Sequence, residues 1–354
     1  MLKKTSTLLA VIASLIFQSS AQSTDSLTFE VATFGSMSSG KFSSFWIQNN
    51  RFQELSEQPS SATAEFLIAK AFQHPTSLFD YQFAVAIHMH EHDSKIEFAL
   101  HQYYLHLRAW IFDAWGGVRP ILHGNQDHAL SSGGLLFSGN AFPVPQLFVG
   151  IENYTPVVLK NGFLSIKGGL SHGWFADHVF VDQQLYHHKH AAIRLGTQRS
   201  KIQFHYALDH VAQWGGIVPG HGQQPVSFAD FVQVALLRSG SASTNLNEQL
   251  NLGGNHIVSQ SLRFDVQVSD FKMGAYWQQM NEDKPIRPIW QSVNIHDGLW
   301  GISVRNENFP IIKGLVYEYL NTTDQNGPYH DKDGIVYGGN DSYFNNYLFQ
   351  SGWT

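Results

Sequence analysis

Two-residue alternation, carried over unusually long segments, is the feature that most limits what this chain can become. From 202 to 209, Ile202, Phe204, Tyr206 and Leu208 fall on one side and Gln203, His205, Ala207 and Asp209 on the other, because successive side chains of a strand point to opposite faces. From 261 to 269, Leu262, Phe264, Val266 and Val268 alternate with Ser261, Arg263, Asp265, Gln267 and Ser269. Residues 82 to 90 repeat the scheme, with Phe83, Val85, Ile87 and Met89 set against Gln82, Ala84, Ala86, His88 and His90. A soluble sandwich alternates in the same manner, but its strands usually stop at about five or six residues. Several segments here run to about ten residues or more, the length that a tilted membrane strand needs. The expected fold is therefore all-β, a transmembrane antiparallel β-barrel of outer-membrane type. Ile202, Phe204, Leu208, Leu262, Phe264 and Val266 are predicted to face lipid, and Gln203, Asp209, Arg263 and Asp265 the interior.

Loop lengths give an independent test, since outer-membrane barrels keep short turns on one side and long loops on the other. The second half obeys it, with strands predicted over 162–174, 186–196, 202–214, 256–268, 271–281, 298–306 and 311–321. Their short connections fall near Arg199, Ser269 and Asn308. Between the third and fourth of these strands, Phe228, Phe231, Val232, Ala235 and Leu236 recur at helical spacing. Ser227 with Asp230 opens that helix as a capping pair and Gly240 stops it, so a short amphipathic helix in an external loop is expected to lie across the barrel mouth as a lid. Before Pro120 the strands do not fit the same alternation of loops. About fourteen or fifteen strands are expected in all, and the chain ends at Gly352, Trp353 and Thr354 just after a long loop, which reads as a barrel lacking its last strands.

Lys3 and Lys4 precede an apolar run from Leu8 to Phe17 that ends in Ser19, Ser20 and Ala21, the layout of a secretory signal cleaved after Ala21. The run is about half the length of a membrane helix. Residues 1–21 are thus expected to be a signal peptide and 22–354 one barrel domain, exported to the cell outer membrane. Charged residues are 14% of the chain and aromatics also 14%, against about 25% charged in an ordinary soluble domain. No cysteine is present, so strand pairing and burial carry the stability without disulfides. The net charge is -6, and without Lys3 and Lys4 the balance is 20 basic against 28 acidic residues, which excludes nucleic acid as an expected partner.

Several motifs resemble one known family. They are Ser138-Gly139-Asn140-Ala141-Phe142-Pro143-Val144-Pro145-Gln146, His210-Val211-Ala212-Gln213-Trp214-Gly215-Gly216, Asp297-Gly298-Leu299-Trp300-Gly301, Tyr317-Glu318-Tyr319-Leu320-Asn321-Thr322-Thr323 and Gly339-Asn340-Asp341-Ser342-Tyr343-Phe344-Asn345-Asn346. Together they resemble the Wzi-type capsule assembly family of Bacteroidetes. That resemblance implies an outer-membrane barrel of eighteen strands, closed outside by loops and helices, that attaches capsular polysaccharide to the cell surface as a lectin. The partners it implies are capsular or other surface polysaccharide, outer-membrane lipid and the barrel-insertion machinery. The family's proteins run past the last residue here through their closing strands, and the periplasmic helical bundle that some members carry has no counterpart.

Sugar binding wants aromatic faces beside short amides and carboxylates. The loop after Thr323 offers both, and Tyr329, Asp331, Asp333, Tyr337, Asn340, Asp341 and Tyr343 are the polysaccharide-binding candidates. Asp331-Lys332-Asp333-Gly334 begins like a calcium loop but lacks the later ligands, and reads as a turn. Among the 19 histidines, His88, His90 and His92, or His187, His188 and His190, are the best metal candidates; no carboxylate or cysteine completes an evident tetrahedral set, so neither metal nor cofactor is expected. Ser171 and His172, being adjacent on a strand, point to opposite faces and do not form the serine–histidine pair of a hydrolase. The expected function is non-catalytic assembly or surface attachment of polysaccharide, with a diffusion channel or transporter as the alternative.

Overall fold

The computed structural model describes residues 15–24, 27–74, 77–92, 95–158, 162–175, 180–238, 253–282, 294–324, 330–332, 335–337 and 343–350. The chain is all-β. Fourteen strands form one antiparallel sheet in which each pairs with its neighbour in sequence. They are β1 (Leu15–Thr24), β2 (Leu27–Met37), β3 (Ser60–Lys70), β4 (Phe79–His92), β5 (Lys95–Ala109), β6 (Phe112–Val118), β7 (Gln146–Val158), β8 (Leu164–Trp174), β9 (Leu185–Leu195), β10 (Ile202–Trp214), β13 (Asn255–Val268), β14 (Phe271–Glu282), β15 (Gly298–Arg305) and β16 (Gly314–Asn321). Two short ribbons stand apart, β11 (Ile217–Val218) with β12 (Gly222–Gln223), and β17 (His330–Lys332) with β18 (Ile335–Tyr337). The edges of the large sheet are β1 and β16. No helix among the described residues is long and apolar enough to cross a membrane.

The predicted strands of the second half match within a residue or two, except that β16 begins at Gly314 rather than 311. The front half also proves regular. One end of the sheet carries only short connections, at 25–26, 71–78, 110–111, 159–163, 196–201, 269–270 and 306–313. The other carries 38–59, 119–145, 175–184, 215–254 and 283–297, with a single tight exception at 93–94. That exception, between β4 and β5, is what hides the pattern from the sequence. At 269–270, Ser269 adopts a left-handed φ of 51°, the twist that a two-residue hairpin demands.

At the amino end the sheet takes in part of the segment expected to be a signal. Residues 15–24, of which 15–21 belong to the expected signal, pair with β2 from Leu15↔Gly35 to Thr24↔Leu27, so the expected cleavage point after Ala21 lies inside β1. Cleavage there would leave three residues of this strand and make β2 the edge. A chain stretch with apolar residues beside an open edge has unpaired backbone groups to satisfy, which accounts for the pairing.

The two faces separate as the alternation requires. In register, Phe204 lies beside Phe264, and Ile202 beside Val266. Phe264 is 45% exposed on the outward face, while Asp265 next to it is 7% exposed. One row crosses four strands at a single level, Leu262↔Trp277↔Trp300↔Tyr319. Trp277 and Trp300 lie 5.3 Å apart. Tyr317 and Tyr319 both face outward and are exposed, which explains the alternation around Glu318: its neighbours lie on the apolar face and it alone turns to the polar one.

Helix α2 (Phe228–Ala235) has the predicted capping box, with Ser227 Oγ accepting from Asp230 N and Asp230 accepting from the Ser227 backbone. Its position is not the predicted one. Phe231 and Val234 pack with Trp214 and Ala212 on the outward face, and the Phe231 ring lies 5.5 Å from both His172 and His187. Lys189 Nζ donates to the Ala235 carbonyl, satisfying a carbonyl of the last turn where a cation is also favoured by the helix dipole. The helix covers the wall rather than the mouth, because its apolar stripe meets Trp214 and the imidazole rings there.

Candidate functional site

What fills the polar face is the connection 119–145. It leaves β6, crosses to the far strands and returns to β7, and its anchors are spread along both. Asn125 Nδ2 donates to Ser261 Oγ at 2.9 Å and Arg263 Nη1 donates to the Asn125 carbonyl at 3.1 Å. Gln278 Nε2 donates to Gln126 Oε1 at 2.5 Å, and Gln278 Oε1 accepts from Leu135 N at 2.8 Å. Arg305 Nε donates to Asp127 Oδ2 at 2.9 Å. Glu318 is the most heavily used anchor, accepting from Ser131 Oγ at 2.6 Å, Ser132 N at 2.9 Å, Ser132 Oγ at 2.8 Å and Tyr276 Oη at 2.6 Å. A segment held between β6–β7 and β13–β16, which are not neighbours in the sheet, makes the polar face concave around it.

The same segment is locked from above. Asn49 and Asn50 donate from Nδ2 to the Ser131 carbonyl at 2.9 and 3.0 Å, and Asn50 N donates to Asn140 Oδ1 at 2.8 Å. Phe52 N donates to the Gly139 carbonyl at 2.7 Å, and a Cβ at Gly139 would run into Asn50. This gives the Ser138–Gln146 motif a structural role: it is where the 38–59 connection clasps the inward loop. Leu135 and Leu136 then join Tyr186, Val211, Ile257, Met280, Leu299 and Tyr343 in one buried cluster. A second cluster, Val181, Val218, Leu348 and Phe349, ties together three segments from the long-connection end. The predicted packing of long loops over one end is therefore present, without the helix.

Beneath the inward loop lies a cavity of about 740 Å³ whose lining includes Lys167, His205, Arg263, Asp265, Lys272 and Glu307. Residues from the short connections, Ser269, Asp270 and Asn308, also line it, so it sits on that end and the loop closes the other. Burial raises the Asp127 carboxyl, but the hydrogen bonds from Arg305, Ser303 and the Ala129 backbone outweigh it and hold the group below the usual carboxylate range. Burial keeps His123, in the same loop, well below its ordinary value and neutral; its ring lies 4.5 Å from Phe137 and 5.3 Å from His188.

The polysaccharide candidates fare unevenly. Tyr329, Asp333, Asn340 and Asp341 lie outside the described residues. Asp331 and Tyr337 sit on the paired strands β17 and β18, opposite Val336 and His330, and only their backbone is described. Tyr343 is a correction: at 2% exposure it cannot offer a stacking face, and its hydroxyl donates to Asp297 Oδ2 at 2.8 Å within the buried cluster. Its aromatic-amide neighbours in sequence suggest a surface loop, but the ring packs in the cluster that holds Leu135 and Leu136 of the inward loop. Sequence reasoning missed Phe45 and Trp46, on the short helix α1 (Phe45–Gln48) in the 38–59 connection, exposed and edge-to-face at 5.1 Å. Two adjacent aromatics without periodicity gave no signal.

Of the histidine candidates, His88 and His90 lie on the polar face with Glu65 and Thr63 as partners, and the His92 side chain lies outside the described residues. His187 faces outward under α2, whereas His188 and His190 face inward. Ser171 and His172 do point to opposite faces, Ser171 lining an inner cavity and His172 meeting α2. Searches of protein-family profiles and of curated proteins find no match to this chain.

Proposed function

We propose that this chain is an outer-membrane β-barrel that holds surface polysaccharide at the cell and performs no catalysis. The barrel part is supported by the exposed apolar face set against a charged, enclosed one, and by connections that are short at one end and long at the other. An anchor is favoured over a diffusion channel by one observation above the rest, the inward loop fastened to Ser261, Gln278, Arg305 and Glu318. A channel needs a continuous polar path, and here the cavity stops at that loop. The resemblance of the sequence motifs to the Wzi-type capsule assembly family supplies the polysaccharide class. A signal peptide ending at Ala21 belongs to the same proposal. Phe45 and Trp46, exposed at the long-connection end, would stack on sugar faces together with the sequence candidates Tyr329 and Tyr337, each contact contributing about 1 kcal/mol, so that retention depends on many polymer repeats engaging together.

Two measurements test it. Purified protein in planar bilayers is expected to pass no steady current, and cells lacking the protein are expected to shed capsule into the medium. Replacing Phe45, Trp46, Tyr329 and Tyr337 with alanine should release capsule while folded protein stays in the membrane. A steady open-channel current, together with full capsule retention in the deletion, would establish the channel instead.

A further inference from the structure

We propose that His188, His190 and Asp209 form a binding site for a divalent transition-metal ion on the enclosed face. The two histidines are two residues apart on β9 and so share a face, their rings stacked 5.2 Å apart. Asp209 of β10 stands directly opposite His190 in the register. Its Oδ1 is 2.9 Å from His188 Nε2. One ligand atom from each of the three lies within 4.8 Å of the others. Tetrahedral zinc with bonds of about 2.0 to 2.1 Å places its ligands about 3.4 Å apart, a distance reached by side-chain shifts of under about 1 Å. Two imidazole nitrogens with one carboxylate oxygen suit zinc, cobalt, nickel or copper rather than calcium or magnesium.

The surroundings favour this cluster over two others of similar make-up. All three residues border an inner cavity of about 90 Å³, room for a water at a fourth position, since one water needs about 10–15 Å³ of such space. His123 reaches the same cavity from the inward loop, 5.3 Å from His188, where it can close the site. Glu152 and Lys167 line the cavity as well, so that with Asp209 the lining holds two carboxylates against one ammonium, Glu152 being shared with Arg119. By contrast, in the group His106, Asp113 and Glu152 both carboxylates already accept from guanidinium groups, Asp113 from Arg108 at 2.9 Å and Glu152 from Arg119 at 2.6 Å. In the group Glu65, His88 and His101, the His101 Nε2 is spent on the Phe52 carbonyl at 2.9 Å. The sequence offered His188 and His190 without a carboxylate, and strand register supplies it.

The test uses the full chain, without a histidine tag, folded in detergent and stripped of metal with a chelator. Titration with Co²⁺ should give one equivalent bound per chain with the strong visible absorption of a tetrahedral site, removed by Zn²⁺. His190→Asn and the isosteric Asp209→Asn should each weaken cobalt binding by more than about tenfold, and His88→Asn should leave it unchanged. Heat-modifiable electrophoretic mobility reports which variants are folded, and Asp209→Asn carries the test if His190→Asn is not. No cobalt absorption in the parent chain, absorption unchanged in folded Asp209→Asn, or absorption lost in His88→Asn would overturn the site and leave Asp209 as a plain hydrogen-bond partner of His188.

Discussion

The outward face of strands β8, β9, β10, β13 and β14 has two ends that behave differently. Toward the short connections it is apolar and open, with Ile193, Ile202, Phe264 and Val268 all exposed. Toward the long connections the same face turns to His187, His210, His256, Gln260 and Gln279, every one buried. These polar groups are covered by protein: α2 over His187, Gly253 accepting from His256 Nε2 at 3.0 Å, and Asn294 accepting from Gln279 Nε2 at 2.6 Å. The change falls at the row Leu262, Trp277, Trp300 and Tyr319. In the proposed barrel a bilayer accounts for the change: below an aromatic row hydrocarbon would be the solvent and would exclude polar groups, and above it the wall would stand clear of lipid under its own loops.

The largest way to break this comparison is to place a charge below the row. Phe264→Arg should cost about 2 to 4 kcal/mol if the residue sits near the midplane, read as a lowered urea midpoint for folding into lipid vesicles. An unchanged midpoint would remove lipid from that face. On the opposite face, Glu318→Ala deprives four donors of one charged acceptor and should loosen the inward loop by about 2 to 3 kcal/mol. Bursts of current in planar bilayers, absent from the parent, would report it while the vesicle-folding midpoint stays near the parent value.

Above the row the effects are smaller. Val234→Ala removes two buried methyl groups from the helix-to-wall contact and should cost about 1.5 kcal/mol, seen as faster amide exchange in 228–235 without change in the strands below. Acid gives the mildest perturbation. Because the folded Asp127 pKa is depressed, its ion pair with Arg305 contributes fully above the unfolded value of about 3.9 and is lost as pH falls through the folded value below it. Current bursts should thus appear only below about pH 4, and Asp127→Asn should remove that pH dependence.

The legibility of the sequence follows the same division. Where lipid would impose a solvent on one face, alternation is complete, and 202–209 and 261–269 could be read directly. Above the row histidines, glutamines and Asn281 stand among Val258, Ala212 and Trp214 on the outward face, and the period-2 contrast vanishes although the strands continue. The capping pair Ser227 and Asp230 announced α2, because a helix end is a local affair; which surface it covers depends on Trp214 and on His172 and His187 of other strands. The inward loop was not legible at all. Residues 119–145 have no period, and their partners are fixed only by register. The same holds for Asp209, which stands beside His190 because of hairpin geometry and not because of any motif.

That distance along the chain has a kinetic consequence. The inward loop is 136 to 187 residues from Ser261 and Glu318, two of its anchors. Contacts of such high order form late, and these have no surface to close on until β13 to β16 have paired. Seating the loop is therefore expected to follow the pairing of the wall, because Gln278 and Glu318 are in place to receive it only then.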